Sequence, residues 1–139
     1  MGTGNFVGWK LFLDDDADGA RRPAITVENP AWRSRMGLPR NPPDTWHLGE
    51  WIVARNYGEA EELLTRFGMP SFVSFDHDLG EERTGLDVAR MIAERDLDMG
   101  DMPPGFAYEV HSANPVGRQN IRSYLESYLK FRESSAFRT

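Results

Sequence analysis

The sequence predicts an α/β layered fold built on a mostly parallel sheet. Three observations point there. Short apolar runs alternate with segments whose apolar residues recur at helical spacing. Strand and helix in alternation favour parallel pairing through right-handed crossovers. Three of the apolar runs also end alike. Residues 9–13 lead into Asp14, Asp15 and Asp16, residues 71–75 into Asp76, His77 and Asp78, and residues 106–110 into His111, Ser112 and Asn114. Ligands dock at the carboxyl edge of a parallel sheet, so neighbouring strands would bring these groups to one place.

Taken in order, residues 9–14 are nearly continuous apolar, which suits a strand buried on both faces. Residues 17–50 read as irregular, because five of the nine prolines fall there: Pro23, Pro30, Pro39, Pro42 and Pro43. Proline lacks a backbone donor and excludes a central strand or a long helix. A short helical turn over 30–35, with Asn29 as cap, fits the stretch. So long a loop inside one domain is a candidate lid or partner-binding segment, and equally an insertion without a role. A second strand over 51–55 leads to a helix over 57–67, whose Ala60, Leu63, Leu64 and Phe67 form one stripe. Gly68 and Pro70 stop it. A third strand covers 71–76. A helix over 85–95 buries Leu86, Val88, Ala89, Ile92 and Ala93. After a turn at 100–105 comes a fourth strand over 106–111. The last helix covers 115–130, with Ile121, Leu125, Tyr128 and Leu129 inward.

The 139 residues suffice for one domain, 1–139, with a real core. Hydrophobic residues make up 40% and aromatic residues 12%, a globular composition. The net charge of −6 disfavours a broad electrostatic grip on nucleic acid. Without cysteine there is neither a disulfide framework nor a thiolate metal site. No apolar run approaches the ~20 residues of a membrane span. Residues 1–8 lack the apolar stretch of a secretory leader. The expected setting is therefore the cytoplasm.

Adjacent carboxylates repel and raise one another's pKa. A hard divalent cation with oxygen ligands relieves that, and Asp14, Asp15, Asp76 and Asp78 are its candidate ligands. A solvated acidic turn is the plain alternative. His77 and His111 are candidate acid–base groups, although His77 could instead pack in the core or cap a helix. Asn114 is a good N-cap and Pro115 a good first helical residue. The helix start, Ser112, Asn114 and Arg118 together make a phosphate-friendly segment, the plain alternative being an ordinary capped helix with a solvent-facing Arg118. His47 receives no role. Trp32, Trp46 and Trp51 could stack on a base but read first as packing residues.

Three segments carry a family resemblance: Leu11 to Asp15; Ser74 to Gly80, with Thr84 to Asp87; and Val110 to Arg118. Together they resemble the cyclic-phosphate processing receiver-like domain, a relative of two-component receivers. The resemblance spans roughly 9–16 and 51–130. It implies a receiver-like, flavodoxin-like three-layer fold, truncated after the fourth strand, with the Pro-rich stretch 17–50 inserted after the first strand. It also implies a metal-assisted phosphoesterase, with Mg²⁺ or Mn²⁺ held by the acidic groups. The expected substrate is a cyclic nucleotide or an RNA end with a cyclic phosphate, in a bacterial or phage-infected cell. Asp14 and Asp15 match the receiver's acidic pair, Asp76 its phospho-accepting position, and Ser112 its small hydroxyl residue. A receiver's lysine after a fifth strand has no counterpart, since Lys10 and Lys130 are the only lysines. Two alternatives stand beside the enzyme: a phospho-acceptor or nucleotide-binding module without catalysis, and an accessory protein gripping a partner through 17–50.

Overall fold

A computed structural model describes residues 8–15, 34, 50–112 and 114–134. The irregular stretch 17–50 lies outside them apart from the exposed, helical Ser34 and residue 50. So do Asn29, Asp16, His47, Trp32 and Trp46. Four strands pair in parallel: β1 (Trp9–Leu13), β2 (Glu50–Ala54), β3 (Phe72–Phe75) and β4 (Ala107–Val110). Their order is β2-β1-β3-β4. The direction of strand addition reverses at β1, so the crevice beyond its carboxyl end is the topological switch point. This is the receiver-like order the sequence implies.

Alternation along each strand sorts the sheet into two faces. Leu11, Leu13, Ala54, Val73, Phe75 and Val110 point to one side, where they join apolar residues of three helices in a single core. Those helices are α1 (Tyr57–Phe67), α2 (Gly85–Met99) and α3 (Pro115–Glu133). Phe12 and Phe72 face the other side and pack with Trp51, Val53 and Ala107. Lys10 lies on that face too, its ammonium 4.9 Å from the Trp51 ring centre. Burial lowers its pKa to about 8.

Each of these three helices begins at a capped residue, of which Asn114 is the one the sequence predicts. Asn56 accepts from the Glu59 N–H, and Thr84 forms a reciprocal capping box with Asp87. Asn114 accepts from the Gly117 N–H, ahead of Pro115. Both α2 and α3 run past the ends read from periodicity. The reason is Asp96, a fully buried carboxylate on α2. It accepts from Tyr128 at 2.6 Å, from the Met102 N–H at 3.0 Å, and from Arg132. The contact orders the last turns of both helices. These hydrogen bonds lower the Asp96 pKa against its burial; burial and then Asp96 raise that of Tyr128, and Asp96 raises that of Arg132. Gly100, at φ +64°, then ends α2 in the left-handed region that favours glycine.

Candidate functional site

The ladder continues one residue beyond each strand, and this builds the site. The Asp14 N–H donates to Ala54 O at 3.0 Å, Asp76 N–H to Leu13 O at 3.0 Å, and His111 N–H to Phe75 O at 2.7 Å. Asp14, Asp76 and His111 are thereby fixed side by side at the carboxyl ends of β1, β3 and β4. One ligand atom from each lies within 4.8 Å of the other two. A divalent cation needs donors converging in this way. The carboxyl of Asp76 reports the crowding, with its pKa raised to about 8, first by burial and then by the charges of Asp14 and Asp15.

His111 is 2% exposed, and its ring lies flat on Phe12, 4.7 Å between centres and 6° from parallel. Its Nε2 is 3.1 Å from Asp14 Oδ2. On the other side, Nδ1 is 2.6 Å from Ser74 Oγ, which stands 3.4 Å from Glu109 Oε2. Ser74 and Glu109 are paired across β3 and β4. Neither was a candidate from sequence. Each lies two residues before a site residue, hence on the same side of its strand, and a polar residue within an apolar run is the signal that could have found them.

The other predicted ligands sit apart from the convergent three. Asp15 is exposed; its carboxylate fills the space a Cβ on Gly80 would need, at 2.9 Å. Asp78 is exposed and turns to two other partners: His77 Nδ1 at 2.9 Å and the Asn114 side-chain amide at 3.5 Å. The turn after β3 breaks the strand alternation that would have set Asp78 beside Asp76. The ring of His77 rests on the first turn of α3, where a Cβ at Gly117 would collide with it. Gly85 likewise admits the Asp76 carbonyl, which any larger residue would displace. The two glycines let the starts of α2 and α3 close onto the segment that carries Asp76 and His77.

The segment read as phosphate-friendly follows directly on His111. Ser112 is buried, and its hydroxyl accepts the Asn114 N–H at 3.2 Å. An Arg118 guanidinium N–H donates to the Ser112 carbonyl at 2.8 Å. Asn114 uses its side-chain oxygen as the cap of α3, so a phosphate at this helix would meet side chains more than the Gly117 amide.

Among sequence families, the one described as "Cyclic-phosphate processing Receiver domain" matches residues 9–127. No curated protein matches the chain. A solved structure, titled as a trimeric coiled-coil segment of yeast Spc42 fused to another structure, resembles it at 16% identity with a TM-score of 0.51. That likeness covers 90% of this chain and 78% of the other, and it bears on the fold alone. No described helix is long and apolar enough to cross a membrane.

Proposed function

The chain belongs to the cyclic-phosphate processing receiver domain family, and from that premise we propose that it is a metal-assisted phosphoesterase opening cyclic phosphates of nucleotides or RNA ends. The observation that carries the reading is the convergence of Asp14, Asp76 and His111 within 4.8 Å at three adjacent strand ends. The donor set fits a divalent cation: two carboxylates that repel each other and one imidazole. A nitrogen among the donors suits Mn²⁺ better than Mg²⁺, which keeps to oxygen and water. When bound, such a cation neutralises the crowded carboxylates and polarises a phosphoryl oxygen or a water.

The remaining residues divide the work. Asp78 engages His77 Nδ1 and so turns Nε2 into the atom that can take or give a proton. Ring opening replaces one P–O ester bond with a bond to water oxygen, and a proton must leave the water and reach the departing hydroxyl. His77 suits that transfer. From sequence, His111 was a second acid–base group; its buried Nε2 beside Asp14 supports a ligand role. Ser112, Asn114 and Arg118 would orient the phosphate.

A phospho-acceptor role for Asp76 has less support, because Lys10 is buried under Trp51 on β1 and Lys130 is on α3. The test is turnover of a 2′,3′-cyclic nucleotide with Mn²⁺ and with EDTA. Activity should require the metal, fall by roughly 10²- to 10⁴-fold in His77→Ala, and persist in His47→Ala. Full turnover in EDTA would refute the metal-assisted reading.

A further inference from the structure

We propose that Ser74, backed by Glu109, is a positioning residue that keeps the proton of His111 on Nδ1, so that Nε2 is the nitrogen offered to a cation beside Asp14 and Asp76. The inference rests on the metal-site reading and deepens it.

The Ser74 hydroxyl has one hydrogen and two polar neighbours, Glu109 Oε2 at 3.4 Å and His111 Nδ1 at 2.6 Å. A carboxylate oxygen only accepts, whereas a ring nitrogen donates or accepts according to tautomer. If the hydroxyl points at Nδ1, two acceptor oxygens face each other across the contact between Ser74 and Glu109. If it points at Glu109, its lone pair meets Nδ1–H, and both contacts become hydrogen bonds. Ser74, Glu109 and His111 are all buried, at 0%, 9% and 2% exposure, so an acceptor opposed to an acceptor is costly here.

The favoured arrangement has a consequence at the other end of the ring. With the proton on Nδ1, the Nε2 lone pair looks at Asp14 Oδ2 across 3.1 Å. Two lone pairs at that distance need a positive centre between them, either a proton or a metal ion. With the opposite tautomer, Nε2–H would close on Asp14 and satisfy the pair without any cation. The contact of Ser74 with Glu109 therefore biases the site toward the state that requires one. The Phe12 ring stacked against the imidazole opposes a flip about Cβ–Cγ, which would put ring carbons where the two nitrogens stand. Groups behind a ligating histidine commonly fix its tautomer in this way.

The test uses nitrogen NMR of His111 in the metal-free chain and calorimetric titration with Mn²⁺ alone. The proposal expects Nδ1 to bear a proton in the wild type, whether or not Nε2 does. It expects Ser74→Ala to weaken Mn²⁺ binding by roughly 10- to 100-fold, and Ser74→Thr, which keeps the hydroxyl, to restore most of it. A merely structural role would lower the melting temperature of Ser74→Ala and leave its Mn²⁺ affinity within about twofold of wild type; that result overturns the proposal. A bare Nδ1 in the wild type overturns it as well. Failure of the wild type to bind Mn²⁺ would instead refute the metal site, while the Nδ1 measurement would still decide the proton's position.

Discussion

Replacing Asp76 with Asn should stabilise the metal-free protein, and only at higher pH. The carboxyl of Asp76 is raised from 3.8 to about 8 in the folded chain. A group whose folded pKa lies above its unfolded value contributes its full stability below the unfolded pKa. That stability is lost as pH rises toward the folded pKa. The window therefore opens near pH 4 and closes near pH 8. A tenfold change in proton affinity is worth about 1.4 kcal/mol, so the full interval sets a ceiling of about 6 kcal/mol. Asp76 keeps some contact with water at the open end of the sheet, and screening reduces the effect to roughly 2–3 kcal/mol. For a domain of this size that is roughly 10 °C in melting temperature. Thermal unfolding of wild type and Asp76→Asn should be followed in EDTA from pH 4 to 9. The two curves should converge at the acid end and separate by pH 8, with the Asn variant higher. Adding Mn²⁺ should reverse the order, because only the wild type retains the carboxylate ligand. Parallel profiles for the two proteins would refute the reasoning.

Three further outcomes follow from the packing. Gly117→Ala should cost roughly 1–3 kcal/mol in urea unfolding and expel the His77 ring. Turnover should then fall while Mn²⁺ affinity holds, and equal loss of both would contradict the separate placement of His77. Gly85→Ala pushes α2 away from the Asp76 carbonyl, so it should weaken Mn²⁺ binding and stability together by calorimetry. Asp96→Ala should destabilise by roughly 3–5 kcal/mol, since it strands Arg132 and Tyr128. Metal affinity of the remaining folded protein should be unchanged, because Asp96 is no part of the proposed cation site.

The fold was legible because its signals are local. Apolar runs, helical stripes and the cap Asn114 state where elements begin. Asp14, Asp76 and His111 were legible because each directly follows a strand. The remainder depends on contacts between residues far apart in sequence. Nothing near Asp96 announces that Arg132 and Tyr128 will meet it, so periodicity alone ends α2 and α3 too early. The partnership of Asp78 with His77 depends on a turn that spacing cannot describe. Ser74 and Glu109 read as incidental polar residues until the pairing of β3 with β4 sets them against each other.

The parallel pairing of all the described strands has a kinetic corollary. A hairpin forms from neighbouring residues, whereas every pairing here waits for a crossover to close. His111 and Asp14 are 97 residues apart in the chain and become neighbours only after β1, β3 and β4 have all docked. The pocket is therefore expected to be among the last features to assemble. On that order of events a cation bound there would hardly accelerate refolding. It would act on the reverse passage, holding three strands at one point and lengthening the lifetime of the native chain.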